Sequence, residues 1–218
     1  MRNLNQLIIK FDYEQNFKDD DFYVSVSNKH IFKLLNNWPM WEKNFLNICG
    51  DQFSGKTHLI NIFLKKFNGI KLVSNEITND DLKKIKLYEN IVLEDLDENV
   101  DEKLIYTLFN IIDQDNKFIV VTSKKSIVNI NFSLPDLKSR SNNFLLQKIE
   151  KPDDDLMFAL ILKNLSDRQI SIDKKLVNYI IKRIDRSYSK IFDFIYKIDE
   201  LSLKKKKPID TEVIIVQN

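Results

Sequence analysis

Apolar and polar residues along the first two thirds of the chain form segments that predict strands and helices in alternation. Residues 44–49, 90–97 and 117–122 are short apolar runs with the length of buried strands. Residues 56–67 instead repeat apolar side chains at the spacing of a helix. Strands that alternate with helices favour a parallel sheet covered by helices on both faces. The pattern therefore predicts an α/β fold for this part of the chain.

The pattern changes near Pro152, which together with Asp153 makes a good helix start. Three amphipathic helices are predicted beyond it with no strand pattern between them, at 153–165, 173–184 and 188–203. We therefore expect a domain boundary near Glu150. The predicted parts are an extended amino-terminal segment at 1–20, an α/β domain at 21–150 and a small all-helical domain at 151–218.

Glycine is rare in the chain, and two of the three glycines lie in the stretch GDQFSGKT, residues 50–57. This stretch joins a predicted strand to a predicted helix and fits the pattern GxxxxGK[ST] of a phosphate-binding loop. The N–H groups of such a loop cradle phosphate, Lys56 is expected to reach the β- and γ-phosphates, and Thr57 is expected to ligate Mg²⁺. The residues predicted to bind the cofactor here are Gly50, Asp51, Gln52, Phe53, Ser54, Gly55, Lys56, Thr57 and His58. The sequence thus predicts binding of a nucleoside di- or triphosphate with Mg²⁺.

Two residues beside the loop carry reactive side chains. Cys49 precedes it and His58 lies one position beyond Thr57. Packing and a position on the helix surface, respectively, are the more ordinary roles for such residues, so neither is expected to be a catalyst.

Two adjacent carboxylates, Glu94 and Asp95, follow the apolar part of the strand at 90–97. In P-loop enzymes such a strand delivers one acid to the Mg²⁺ shell and another to the attacking water. Aspartate usually precedes glutamate, so the reversed order leaves the role of each acid open, with both expected at the metal. An acidic turn after a core strand is the alternative. Thr122 and Ser123 end the next strand, and either γ-phosphate sensing or a plain turn would suit them.

Composition narrows the class of protein further. Of the 218 residues, 43% are hydrophobic and 30% are charged, and no apolar run has the roughly 18 residues that a membrane span needs. The amino terminus lacks the pattern of a secretory signal, and a single cysteine excludes an intrachain disulfide, so we expect a cytoplasmic protein. With a net charge of +2, the one concentrated basic run is 204–207, which is typical of a solvated helix end.

Five segments follow one another along the chain: DDFYVSVSNKHIFKLL, GDQFSGKTHL, IVLEDLD, LPDLKSR and IIKRIDRSYSKIFDFIYKIDEL. Taken in this order, they resemble the DnaA/Hda branch of AAA+ proteins, and the Hda type more than DnaA itself. The resemblance implies an AAA+ P-loop domain with a parallel sheet flanked by helices, then a helical lid, with ADP or ATP and Mg²⁺ in the crevice. It also implies a regulatory adaptor that binds DnaA and the DNA polymerase III sliding clamp and stimulates hydrolysis of the ATP held by DnaA. A homodimer is a further expectation, whereas sequence-specific DNA binding is not expected, because the sequence leaves little room for a DNA-binding domain after the lid.

The resemblance also implies roles for residues outside the phosphate loop. Gln6, Leu7, Ile9 and Phe11 match a short clamp-binding peptide of this family, with a core edge strand as the alternative. Arg140, in LPDLKSR, matches an arginine finger that acts on the γ-phosphate of a neighbouring subunit, with an ordinary surface ion pair as the alternative.

Two further regions bear on the nucleotide. Phe22, Tyr23 and Val24 are candidates for an adenine pocket, or for a core strand. The lid arginine of the family aligns with Ser189, although Arg186 and Lys190 lie close in the sequence and could substitute for it. Weak hydrolysis by the chain itself is therefore expected. An independent P-loop ATPase and a helicase loader or initiator paralogue remain the alternative functions.

Overall fold

The computed structural model describes residues 22–205. Within this range the chain forms five strands and eight α-helices. The strands are β1 (Phe45–Cys49), β2 (Gly69–Val73), β3 (Asn90–Leu96), β4 (Phe118–Ser123) and β5 (Leu145–Lys148). The helices are α1 (Lys29–Asn36), α2 (Lys56–Lys66), α3 (Asn79–Lys84), α4 (Glu102–Gln114), α5 (Pro135–Ser141), α6 (Asp154–Asp167), α7 (Lys174–Ile181) and α8 (Tyr188–Lys205). The predicted clamp-binding residues Gln6, Leu7, Ile9 and Phe11 lie outside the described residues.

All five strands run parallel in one sheet, in the order β2-β3-β4-β1-β5. Strand β1 lies between β4 and β5, and all five of its residues are buried. Parallel strands end at the same edge of a sheet, so the loops after β1, β3 and β4 meet there. This edge carries the candidate site.

A buried amide inside β1 ties this strand to its neighbour. The Asn47 side-chain nitrogen donates to the Val121 carbonyl oxygen at 3.1 Å and to Ser123 Oγ at 2.9 Å. The Asn47 side-chain oxygen accepts from the Ile127 N–H at 2.9 Å. Because a buried amide is costly unless it is hydrogen-bonded, this network favours a single arrangement of β1, β4 and the turn after β4.

Hydrophobic clusters lie on both faces of the sheet. One cluster joins Leu93 and Val121 of the sheet to Ile105 and Phe109 of α4. On the other face, Ile48, Val92, Leu59, Phe63 and Ile31 belong to a cluster that includes α1 and α2. Helices on both faces explain why the inner strands β1, β3 and β4 are mostly apolar and mostly buried.

Helices α6, α7 and α8 share a third hydrophobic cluster of their own, formed by residues such as Met157, Ile161, Val177, Ile191 and Ile195. The predicted fold class is confirmed: a parallel α/β sheet domain is followed by a helical part. Aspartates begin two of these helices, since Asp153 accepts from the Leu156 N–H at 2.9 Å and Asp173 accepts from the Lys175 N–H at 2.7 Å. Among the described helices, none combines the length and the apolar character needed to cross a bilayer.

Gly69, at the start of β2, has room for no side chain. A Cβ built there would lie 2.5 Å from the Asn90 backbone oxygen and 2.8 Å from Leu64 Cδ2. We expect Gly69→Ala to lower the free energy of unfolding by about 2–3 kcal/mol, because β2 must shift away from β3. Urea denaturation followed by circular dichroism measures the change. Asn68→Ala, at the exposed neighbouring position, is the matched control, and an equal effect of the two variants would contradict the steric argument.

Candidate functional site

The loop after β1 has the geometry of a phosphate cradle. The Gly50 N–H donates to the Ser123 carbonyl oxygen at 3.2 Å, which fixes the loop to the end of β4. A Cβ at Gly50 would lie 2.9 Å from Ser54 Oγ and 3.1 Å from Ile149 Cβ, so a side chain would fill the turn. Gly55 has a φ of 91° and directly precedes α2. Both glycines are therefore required by the path of the loop.

Lys56 folds back across this loop. Its Nζ donates to the carbonyl oxygens of Gly50 at 2.8 Å and Asp51 at 2.9 Å. Burial lowers the pKa of Lys56, and the nearby carboxylates of Asp95 and Asp51 act in the opposite direction. The ammonium group is thus held by neutral acceptors at the amino end of α2, where an anion would be the stronger partner.

One polar atom of the loop has no hydrogen-bond partner. Ser54 Oγ is buried beside Gly50 and makes no hydrogen bond among the described residues. A buried hydroxyl without a partner is unfavourable, and a ligand oxygen in the loop could satisfy it. Together with the Lys56 contacts and the glycine turn, this fits a bound phosphate group.

Phe53 adopts an unusual backbone conformation within the same loop. Its φ of 65° lies in the left-handed region, which costs a bulky residue about 1–2 kcal/mol. The Phe53 ring is 43% exposed and stacks on Phe192 of α8, with ring centroids 4.8 Å apart and planes at 29°. The strained position of the loop is thus also its contact with the helical part of the chain.

The two predicted acids have different surroundings. Asp95 is exposed and lines the same cleft as Lys56 and Thr57. Its backbone is held firmly, because its N–H donates to Thr122 Oγ1 at 3.1 Å and its carbonyl oxygen accepts from Ser74 Oγ at 2.8 Å. A φ of 56° at Asp95 accompanies a register shift between β3 and β4. Thr122 therefore positions the backbone of the acid.

Glu94 is only 6% exposed and is absent from the cleft lining. Its Oε2 lies 3.1 Å from Lys71 Nζ of β2, while its Oε1 is buried and has no hydrogen-bond partner within residues 22–205. From the sequence, both Glu94 and Asp95 were predicted to bind the same Mg²⁺ ion. In the structure, only Asp95 lines the cleft that Thr57 also lines. The described residues also include no group of three or more His, Cys, Asp or Glu side chains that could hold a metal ion. Thr57 and Asp95, which line the same cleft, are the residues that could hold a Mg²⁺ ion beside a bound phosphate, whereas Glu94 lies outside that lining.

The loop forms one wall of a cleft of about 310 Å³. A second wall comes from the segment before α1, including Phe22, Tyr23 and Asn28. The third wall comes from α6 and α8, with Leu156, Leu160, Lys163, Asn164, Asp167, Tyr188 and Phe192. A cleft between three such elements has both the charge and the aromatic surface that a nucleotide needs.

The adenine candidates are only partly brought together. Phe22 and Tyr23 line the cleft, and Phe22 stacks on Phe32 with centroids 5.8 Å apart. Val24 is exposed and is not part of the lining. The Asn28 amide donates to the Tyr23 carbonyl oxygen at 3.0 Å, so α1 fixes this wall.

Two expectations about neighbouring residues can be compared with the structure. His58 is buried and lies edge-on to Phe22 at 5.2 Å, so the expected position on the helix surface is wrong. Its side chain turns toward the cleft because Phe22 covers this face of α2. Cys49 is buried as expected, and burial raises the pKa of its thiol, which disfavours a reactive thiolate.

The helical part was expected to form one side of the crevice, but the individual residues of α6 and α8 that line it were not predicted. In α6, polar residues of the cleft lining follow the apolar residues Leu156 and Leu160 at helical spacing. This spacing is the feature of the sequence from which the wall could have been predicted. Tyr188 of α8 is buried, and its hydroxyl donates to the Glu150 carbonyl oxygen at 3.0 Å. Burial raises the pKa of Tyr188 to about 12, so it stays neutral and anchors α8 at the cleft.

Arg140 lies away from the cleft. Its Nη1 is 3.1 Å from Asp113 Oδ2 and 3.5 Å from the Phe109 carbonyl oxygen of α4, and its guanidinium is 5.8 Å from the Tyr106 ring. In the single chain it therefore makes the intrachain ion pair that was the alternative reading of this residue.

The position aligned with the lid arginine also lies outside the cleft lining. The Ser189 hydroxyl is 2.8 Å from the Ser187 hydroxyl, and the nearby Arg186 pairs with Asp154 at 2.8 Å. Among the described residues of the lining, the cationic side chains are Lys56 and Lys163.

No protein family model matches the chain. An uncharacterized protein of Haemophilus influenzae is 23% identical over 201 residues, which cover 86% of this chain and 87% of that protein.

Several solved structures have a similar fold. Domain III of the Thermotoga maritima replication initiation protein DnaA superposes with a TM-score of 0.71 at 18% identity, covering 92% of this chain and 94% of that chain. AMPPCP-bound DnaA from Aquifex aeolicus gives 0.66 at 18% identity over 87% and 68% of the two chains. The Thermotoga maritima RuvB Holliday junction branch migration motor gives 0.66 at 16% identity over 92% and 70%. The chain therefore has the fold of an AAA+ P-loop domain with a helical part after it.

The pair between Lys71 and buried Glu94 leads to a prediction about stability. Lys71→Met leaves a buried carboxylate without its cation, and we expect the free energy of unfolding to fall by about 2 kcal/mol. Adding Glu94→Gln should recover part of this loss, because a neutral amide is less costly to bury. Urea denaturation measures both effects, with Lys83→Met at an exposed ion pair as control. Equal stability of the two lysine variants would contradict the role of Lys71.

Proposed function

We propose that the chain binds ADP or ATP, with Mg²⁺, in the cleft between the phosphate loop and helices α6 and α8. The loop carries this proposal: a glycine turn, an unpartnered buried Ser54 hydroxyl and the Lys56 ammonium converge at the amino end of α2. The Aquifex aeolicus DnaA structure, which shares this fold, is described as bound to the adenine nucleotide analogue AMPPCP. That description supports adenine as the base.

Each part of the cleft has a role in this proposal. The loop N–H groups and Lys56 would hold the phosphates, and Phe22 with Tyr23 would cover the apolar base. Mg²⁺, when bound, neutralises phosphate charge, and Thr57 with Asp95 would hold it. Thr122 and Ser74 hold the backbone of Asp95, so the point from which its carboxylate reaches into the cleft is set before any ligand binds.

We further propose that the chain acts as a regulatory adaptor. In this role it binds DnaA and the DNA-loaded sliding clamp and stimulates hydrolysis of DnaA-bound ATP. The ordered motifs and the fold shared with DnaA domain III support the proposal. Arg186 points to Asp154 and Ser189 lies outside the cleft lining, which supports weak hydrolysis by the chain itself. Gln6, Leu7, Ile9 and Phe11 would supply the clamp contact.

Arg140 would supply the charge that acts on the neighbouring nucleotide. Its partner Asp113 is 61% exposed and Arg140 is 21% exposed, so the ion pair lies at the surface, where the attraction between such charges is modest, and the arginine would exchange this contact for a γ-phosphate. The planar guanidinium would then stabilise the charge that develops on the γ-phosphate of DnaA-bound ATP.

An independent ATPase is the second candidate function. The position of Asp95 in the same cleft as Lys56 and Thr57 favours it, because an acid at this strand end is suited to orient a water molecule. Hydrolysis without any partner would distinguish this function from the adaptor.

Nucleotide binding should raise the melting temperature of the purified protein. A ligand that binds only the folded state stabilises it by about 2.7 kcal/mol at 100 times its dissociation constant. Differential scanning fluorimetry with ADP or ATP and Mg²⁺ measures the shift. We expect Lys56→Ala to lose most of it, and a wild-type protein with no shift for either nucleotide would contradict the proposed site.

The adaptor role depends on Arg140. We expect Arg140→Ala to reduce stimulated hydrolysis of DnaA-bound ATP by roughly 10³-fold, without weakening nucleotide binding to this chain. Arg140→Lys should rescue poorly, because an ammonium lacks the planar donors of a guanidinium. Single-turnover hydrolysis of radiolabelled ATP preloaded on DnaA, with DNA-loaded clamp present, measures the effect.

Two controls accompany this experiment. Asp113→Asn removes the intrachain partner of Arg140 and should keep the stimulation. Gln6→Ala with Leu7→Ala should lose clamp capture while the melting curve is unchanged. Full stimulation by Arg140→Ala would contradict the role of Arg140 as an arginine finger. Hydrolysis of ATP by the wild-type chain without DnaA or clamp would favour the independent ATPase.

A further inference from the structure

We propose that Phe53 and Phe192 form a closing contact between the phosphate loop and helix α8, and that this contact slows the release of bound nucleotide. The inference deepens the proposed nucleotide-binding function and depends on it. It assigns a role to two aromatic side chains that the GxxxxGK[ST] pattern does not specify.

The loop side of the contact is conformationally strained. Phe53 has a φ of 65°, a region that glycine adopts freely and bulky residues rarely adopt. A glycine at this position would give the same loop without strain. The phenylalanine must therefore contribute through its ring, and that ring stacks on Phe192 with centroids 4.8 Å apart. Strained backbone of this kind is concentrated at ligand clamps and switches.

The helix side of the contact is firmly anchored. Tyr188, one turn before Phe192, is buried, and its hydroxyl donates to the Glu150 carbonyl oxygen. Ile191 and Ile195 are fully buried in the cluster shared by α6, α7 and α8. Phe192 lies outside that cluster and lines the cleft instead. A rigid helix thus presents this ring to the loop.

The position of the pair determines what it can control. Both rings line the cleft, and they join the loop wall to the α8 wall. Separation of these walls, which would widen the cleft around a nucleotide held by the loop, requires the stacked rings to part. Their attraction opposes that separation in either direction, so it should slow the entry of a nucleotide as well as its release.

The experiment is a double-mutant cycle on nucleotide release. The variants are Phe53→Gly, Phe192→Ala and the double variant, and dissociation of N-methylanthraniloyl-ADP is followed by stopped flow after a chase with excess ADP. Each single variant should release the nucleotide about fivefold faster, which is the range expected from one aromatic pair. The double variant should match the single variants, because all three lack the same contact.

Tyr196→Ala is the matched control. Tyr196 is also an aromatic residue of α8, one turn beyond Phe192, and it is 49% exposed and not part of the cleft lining. Its replacement should leave the dissociation rate unchanged. Circular dichroism checks that every variant keeps its helix content.

A second measurement tests the contact without nucleotide. The same cycle on urea unfolding should give a coupling of about fivefold in the unfolding equilibrium constant. Unchanged release by both single variants, additive effects in the double variant, or absent coupling would each overturn the inference. Failure of the wild type to bind N-methylanthraniloyl-ADP would instead reject the proposed function.

Discussion

The position of β1 between β4 and β5 in a parallel sheet is the constraint on which the site depends. All five residues of β1 are buried, and Asn47 locks the strand to β4 and to the Ile127 N–H after it. The end of β1 can therefore move little, and the Gly50 N–H is held by the Ser123 carbonyl oxygen. Because β3 and β4 end at the same edge, one rigid frame fixes the phosphate loop, Asp95 and Thr122.

The sequence predicted best the strands that are covered on both faces of the sheet, because burial on both faces leaves a recognisable run of apolar residues. Strands β1, β3 and β4 were predicted to within one residue at each end, because most of their residues are apolar and polar turns flank them. The edge strands β2 and β5 were not predicted, since half-exposed residues such as Lys71 and Leu146 weaken the apolar signal. Helices α6 and α8 were predicted well because aspartate caps or strong amphipathic spacing define them.

Within the site, local chemistry was predictable and long-range placement was not. The spacing of Gly50, Gly55 and Lys56 specifies a loop, and that loop forms. The separation of Glu94 from Asp95 depends on a register shift in β3 and on Lys71 of a neighbouring strand. Likewise, Phe192 reaches the cleft only through the packing of α8, which no motif encodes. Contacts between distant segments require the tertiary structure.

Folding of the loop already removes water from the groups that would bind an anion. Much of the free-energy cost of their desolvation is therefore met before the anion binds. The Lys56 ammonium is desolvated, as its lowered pKa indicates, and its partners are two neutral carbonyl oxygens. Ser54 Oγ is likewise buried, and it has neither an acceptor nor a donor in the part of the chain that the structure describes. A phosphate oxygen would meet donors that have already lost their water, in a loop whose backbone is fixed. The charge interaction would then add to affinity with little opposing desolvation of the protein, which is the physical meaning of preorganisation in this cleft.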